Sequence, residues 1–291
     1  MKFELRGEQA ISHRARKPDD STSSEPEAWH LDPLVAEQKQ RVHLELLGLW
    51  GSQVIPLRAL KTDLYEEATG RATLLPHAQE ICPACIGWFG MDIVFPTTRR
   101  ARVALGRSVR ILVTDLRQLA FRDGSFDLIL SNSSLDHFDD RRDFERAVEE
   151  LARVLAPGGT IILTVDNTLN PTYWLLRVAS RLRLTPFSLG YAPRIDQLVR
   201  MVESCGLQVT GHCTLIHNPR GFSVIFFAAI RKLFGSLAPA LIQWWLDCFA
   251  LLERLPTRWI TACFVGIKAV KPRDVSPSRT HLTHSLNIDS R

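Results

Sequence analysis

Residues 1–29 contain no apolar run of the signal-peptide type, and the most apolar segment, residues 221–252, is broken by Arg231, Lys232, Pro239 and Asp247 into pieces shorter than a membrane span. A secreted or membrane-spanning protein is therefore not expected, and the expected location is cytoplasmic. The six cysteines include one Cys-x-x-Cys pair, Cys82 and Cys85, and no second. Cys205 and Cys213 are spaced too widely, and His77 or His212 would complete a zinc site only by an accident of folding. Reduced thiols without a metal are the expectation. No stripe of one charge runs along the chain: 36 Lys and Arg against 31 Asp and Glu leave a net charge of +5, a weak pull on acidic partners, and nucleic acid is not expected as one. Glycine is scarce where a cofactor loop would use it, since "ALKTDLYEEATG" at 59–70 holds one glycine and three acids.

What the chain does have is a rhythm of short apolar runs and helical patterns. After the polar residues 1–30, read as a disordered tail, Asp32 and Pro33 start a helix with Val35, Val42, Leu46 and Leu49 on one face. Then come "VIPLRALKTDL", "IGWFGMDIV", "VRILVTDL", "FDLILSNS", "TIILTVDN", "LQVTGHCTLI" and "ITACFVGIKAV", runs that suit strands buried on both faces. Between the fourth and fifth lies the clearest helix, with Asp140 as N-cap, Phe144, Ala147, Val148, Leu151 and Leu155 as its apolar stripe, and "PGG" at 157–159 as its stop. Another helix is expected around Ile195 to Ser204. The pattern predicts an α/β domain over 31–272, a doubly wound, seven-stranded, mostly parallel sheet, with a helical insertion before the last strand and a second disordered tail at 273–291. Residues 172–190 and 221–258 fall outside the rhythm. The latter reads as two helices packed in the core, as a lid over an apolar substrate, or as a membrane-surface element.

In an open α/β sheet, ligands bind at the carboxyl ends of the strands, and here those ends are acidic or polar: Asp92, Asp115, "SNSSLDHF" at 131–138, then Asp166 and Asn167. A carboxylate ending the second strand can accept from both hydroxyls of a ribose, which assigns Asp92, with Ile93 beside it. One ending the third can accept from the exocyclic amine of adenine, which assigns Asp115. The alternative for either is a turn or cap acid.

"VTDLRQLAFRDGSFDLILSNSSLDHF", followed by "ELARVLAPGGTIILTVDN", resembles the central part of class I S-adenosylmethionine-dependent methyltransferases, in the broad group often called type 11. The resemblance is strong from Val109 to Asn167. It implies a seven-stranded sheet with its last strand antiparallel, S-adenosylmethionine as cofactor, Asp92 at the ribose, Asp115 with Leu116 at the adenine, and Asn132 and Ser133 toward the methionine end. The chain departs from the family at the first strand, where an acid followed by Gly-x-Gly-x-Gly is the rule and two of three glycines are lost. The methyl donor has no phosphate to cradle and carries a sulfonium and an ammonium, so an acidic loop suits it and repels NAD or ATP. Asp63 or Glu67 is expected at the ammonium, Gly70 as the one tight turn, and Glu66 toward solvent; the alternative is that these acids cap the following helix. The expected enzyme moves a methyl group to a small, apolar acceptor, with His137, or less so Asp136, as a candidate base. The rival reading is a non-catalytic module of the same fold whose apolar helices bind a partner or a membrane.

Overall fold

A computed structural model describes residues 32–51, 56–182, 184 and 189–273, so both tails read from the sequence lie outside the described residues, Arg273 aside. The chain opens with α1 (Pro33–Gly51) and β1 (Arg58–Thr62), then α2 (Tyr65–Thr69), α3 (Leu75–Ile81), β2 (Gly87–Asp92) and α4 (Phe95–Leu105). β3 (Val109–Val113) and β4 (Phe126–Asn132) lead through a short 3-10 turn at Leu135–His137 to α5 (Arg141–Val154), β5 (Leu155–Asp166), α6 (Pro171–Arg181) and α7 (Ile195–Ser204). After β6 (Gln208–Leu215) come α8 (Arg220–Phe234), α9 (Ala238–Ala250), α10 (Arg258–Thr261) and β7 (Phe264–Val270). The seven strands form one sheet in the order β3-β2-β1-β4-β5-β7-β6. β7 runs antiparallel to β5 and β6, and the other neighbours are parallel.

The apolar runs become strands because helices cover both faces. On one side Phe144, Ala147, Val148 and Leu151 of α5 bury against Ile129, Ile161 and Leu163 with Leu198 and Val202 of α7. On the other, Leu46, Leu47 and Trp50 of α1 bury with Leu75 and Ala78 of α3 against Ala59, Leu128 and Ile162. Each such large side chain stabilises the fold by about 1.5–3 kcal/mol. Asp140 caps α5 as expected, its Oδ1 accepting the Asp143 N–H at 2.9 Å.

Two local expectations are corrected. Leu49 is 65% exposed, because α1 turns Leu46, Leu47 and Trp50 inward instead. Leu155 opens β5, so α5 ends before "PGG", which lies within the strand. There a Cβ on Gly159 would meet the Ala156 carbonyl oxygen at 2.8 Å, so the position admits no side chain. As expected, the apolar segment folds as two helices: Arg220–Arg254 is, among the described residues, a helical stretch long and apolar enough to cross a membrane, but it breaks at Gly235, φ +50°, between α8 and α9. Phe227 and Ile230 of α8 meet Ala238, Ile242 and Leu246 of α9 in a small core of their own.

Candidate active site

The strand order reverses between β1 and β4, and the crevice at their carboxyl ends is where this architecture binds ligands. Asp63 follows β1, Asp92 ends β2, Asp115 comes two residues after β3, Asn132 ends β4 with Ser133 to Asp136 following it, and Asp166 ends β5.

The loop after β1 is built around a lysine that the sequence reading overlooked. Lys61 is wholly buried within the strand, with Nζ 2.9 Å from Glu67 Oε2 and 3.6 Å from Glu66 Oε2. It also donates to the Asp63 carbonyl oxygen at 2.6 Å. Lys39 of α1 completes the group, 2.6 Å from Glu66 Oε1. Burial alone would lower the Lys61 pKa, but Glu67 and Glu66 outweigh it and hold the proton on more tightly than usual. Burial would likewise raise Glu66, and Lys39 and Lys61 instead hold it well below the usual carboxylate range.

Two expectations about this loop are corrected. Glu67 does not face a ligand: besides Lys61, it accepts the N–H groups of Leu74 at 3.1 Å and Leu75 at 3.2 Å, and so caps α3. Glu66 does not face solvent but is buried between two lysines. Gly70 turns at φ +69° to end α2, with nothing within 4 Å of the place a Cβ would occupy, so it is a helix C-cap and not a point of close approach. Asp63 remains. At φ +67° it is half-buried, its Oδ1 accepts the Tyr65 N–H at 2.8 Å, and its Oδ2 lies 3.9 Å from His137 Nε2. Burial and then the charge of Glu66 push its carboxyl up to about 6.

Asp92 is buried, and each carboxylate oxygen accepts one main-chain N–H: Leu64 to Oδ2 at 3.0 Å and Val94 to Oδ1 at 2.8 Å. One lone pair remains on each oxygen, and Ile93 beside it is 58% exposed. Asp115 is gripped by Arg117, with Oδ2 3.0 Å from Nε and 2.6 Å from Nη2; burial opposes its ionisation, but those bonds hold its pKa below the ordinary range. Leu116 turns into the hydrophobic core, so its side chain is not available to flank a ring as the resemblance implied. Ser133, at φ +48°, leaves its Oγ buried without a partner. Asn132 is buried and, with His43 of α1, lines a cavity of about 10 Å³, room for about one water. Burial drives the His43 pKa down to about 4.

Residues 68–163 match the family described as "Methyltransferase domain". That stretch lies on a seven-stranded sheet of the class I S-adenosylmethionine-dependent methyltransferase type. A demethylmenaquinone methyltransferase of Thermus thermophilus is 33% identical over 119 residues, covering 39% of this chain and 52% of its own. A tocopherol O-methyltransferase of Arabidopsis thaliana is 41% identical over 117 residues, 37% of this chain and 32% of its own. A mouse protein named "Probable tRNA methyltransferase 9B" is 41% identical over 76 residues, 26% of this chain and 16% of its own. The matched stretch thus spans about half or less of these relatives. Among solved structures, the N-methyltransferase NodS of Bradyrhizobium japonicum, in complex with S-adenosyl-L-homocysteine, superposes with a TM-score of 0.50 at 15% identity over 87% of this chain and 94% of its own.

Across the same sheet, the far side of the crevice holds a second acidic group. Asp136 is buried in the 3-10 turn after β4, its Oδ2 accepting the Asp166 N–H at 2.9 Å while its Oδ1 has no partner. Asp166 is bound in turn by Arg220, at the start of α8, at 2.8 Å. Burial first, then the charge of Asp166, push the Asp136 carboxyl up to about 7. The His137 side chain, by contrast, is 62% exposed. Asp166 was legible as a strand end; Arg220 was not, because nothing in its local sequence signals a partner on β5.

Proposed function

We propose that the protein transfers a methyl group from S-adenosylmethionine to a nucleophilic atom of a small apolar molecule. The observation that carries this reading is the row of carboxylates at the switch point, Asp63, Asp92 and Asp136, beside a first-strand loop with no cradle for a phosphate. These residues fit the donor. Asp92 keeps a free lone pair on each oxygen for the two ribose hydroxyls, Asp63 Oδ2 offers a carboxylate to the ammonium, and the orphaned Ser133 Oγ and buried Asn132 supply polar atoms toward the methionine end. The bound donor would supply an electrophilic methyl group. Asp115 would reach an adenine amine only by sharing its grip on Arg117.

Methyl transfer is an in-line displacement, so catalysis rests mainly on holding the reactants in line and dry. The acceptor must also lose a proton. Asp136, buried, poised near neutrality and with one oxygen free, supports a role as its base better than exposed His137 does. The Thermus and Arabidopsis relatives are named for apolar acceptors, which favours that class. The mouse relative is named for tRNA, but its match covers too little of this chain to carry a nucleic-acid acceptor across.

One observation favours the non-catalytic reading: the β1 loop is closed by buried ion pairs and not open on glycines. Titration calorimetry with S-adenosyl-L-homocysteine separates the two. Saturable one-to-one binding is expected, and no measurable heat up to millimolar ligand would favour the non-catalytic module.

The Asp136 assignment carries its own test. For an active preparation, kcat/KM should climb about tenfold per pH unit below about 7 and level off above it, and Asp136→Asn should lose roughly a hundredfold together with that limb. Stability follows the opposite sign. A carboxyl whose folded pKa is raised favours folding while protonated, so its contribution is fully present below the usual carboxylate pKa and is lost as pH rises through about 7. Thermal melts from pH 5 to 8 should show that decline in the parent and a shallower one in the Asn variant.

A further inference from the structure

The α8–α9 hairpin carries two apolar stripes on each helix where a soluble hairpin needs one. The inner stripes form the small core already described. The outer stripe of α8 comprises Phe222, Ile225 and Leu233, 59%, 75% and 75% exposed. That of α9 comprises Leu237 in the preceding turn, Leu241, Trp244 and, in the turn that follows, Leu251, of which Leu237 and Trp244 are 64% and 65% exposed. At 100° per residue, these positions repeat on one side of each helix, offset by roughly a third of a turn or a little more, in the same sense on both, from the buried stripe. Phe222, near the start of α8, lies 6.4 Å from Trp245, near the end of α9, so the helices run antiparallel. An offset of the same sign on two antiparallel helices brings both outer stripes to the same side of the hairpin. Only 22% of the most apolar stretch of Arg220–Arg254 is buried.

α6 adds apolar surface of its own: Trp174, Leu175, Val178 and, just past its end, Leu182 are each more than half exposed. Gly221 of α8 packs so closely on α6 that a Cβ there would meet Leu176 at 2.7 Å. Charge on these three helices is one-sided: Arg177, Arg181, Arg220, Arg231 and Lys232 stand against Asp247 alone. Arg220 and Arg231 are held by Asp166 and Asp32, which leaves exposed Lys232 and Arg181 nearest the apolar stripes, as a cationic rim.

We propose that α6 and the α8–α9 hairpin lay this face into the surface of an anionic lipid bilayer, seating the domain on a membrane. A wide apolar face with aromatic residues and a cationic rim matches the acyl boundary and the anionic headgroups above it. A protein partner would be met by the same apolar residues but gives no reason for the one-sided charge.

The test uses the full chain and no methyl donor, so it stands or falls separately from the catalytic reading. Co-sedimentation compares vesicles of phosphatidylcholine alone with vesicles of phosphatidylcholine and phosphatidylglycerol. The protein should pellet with the anionic vesicles, with a blue shift of tryptophan emission that is smaller in Trp244→Phe. Leu233→Glu with Trp244→Glu, both at exposed positions, should weaken that binding at least tenfold while leaving the thermal melt unchanged. Lys232→Gln with Arg181→Gln should weaken it less, and the loss should be mimicked by salt. Equal binding to neutral vesicles, no binding to either, or binding indifferent to the Glu pair would each overturn the proposal. So would a dimer by light scattering that the Glu pair dissociates in a protein that ignores vesicles.

Discussion

Replacing Lys61 with methionine should destabilise the protein by about 3–5 kcal/mol, the effect of leaving buried charge without its partner. Methionine fills much of the same volume, so the loss is electrostatic and not a cavity effect. Glu66 keeps Lys39, but Glu67, wholly buried, keeps only the N–H groups of Leu74 and Leu75. Denaturant melts by circular dichroism would read the loss directly. The pairing is tested by adding Glu67→Gln to Lys61→Met. The amide oxygen can still cap α3 and carries no charge, so the double variant should recover a large part of the single variant's loss. If the two losses simply add, the ion pair is not what holds this loop, and its neutral closure of the first strand has to be explained another way.

The second large effect is at Asp92. Asp92→Ala removes the acceptor proposed for two ribose hydroxyls, each a charge-assisted hydrogen bond of about 1.5–3 kcal/mol, so affinity for S-adenosyl-L-homocysteine should fall by roughly a hundredfold or more. The same carboxylate also accepts from Leu64 and Val94, so the alanine variant will lose some stability as well. Asp92→Asn separates the effects, since its carbonyl oxygen can keep one of those main-chain bonds while the carboxylate is gone. Calorimetry on both variants, with melting curves alongside, decides. Affinities within about threefold of the parent for both would remove Asp92 from the ribose and leave it a turn acid.

The sheet was legible because its inner strands are largely buried and stand out as mainly apolar runs, each within a few residues of its observed bounds, while the edge strand β6 carries the signal less cleanly, with exposed residues along most of its length. The α5 cap was legible because Asp140 acts on its own neighbours. Side-chain commitments across the chain were not. "EE" at 66–67 reads the same whether it meets a ligand, a solvent layer or a lysine, and Lys61 hides inside a strand where nothing local says that its partners lie one turn further on. Leu116 was misread for a related reason: the residue after a strand-end acid can turn either way, and here the core between α5 and the sheet takes it inward. The sequence left the hairpin open between core, lid and membrane-surface element, because a stripe that Arg231, Lys232, Pro239 and Asp247 flank on helices looks, along the chain, like one apolar stretch that they interrupt.

The antiparallel placement of β7 has a consequence for how such a protein can change. Because β7 returns beside β6, everything from the end of one strand to the start of the other leaves and re-enters the sheet at a single gate, closed by the Cys263 N–H to the Ile216 carbonyl at 2.7 Å. What hangs from that gate can lengthen, shorten or be exchanged at little entropic expense, since doubling a loop costs only about 0.6 kcal/mol in closure. The strands that carry Asp63 and Asp92 lie away from that gate, and the crevice is tied to what is exchanged through Arg220, which holds Asp166 beside Asp136. Descendants of this chain can thus diversify what they dock on while inheriting the crevice, so long as the first residue of α8 still reaches Asp166.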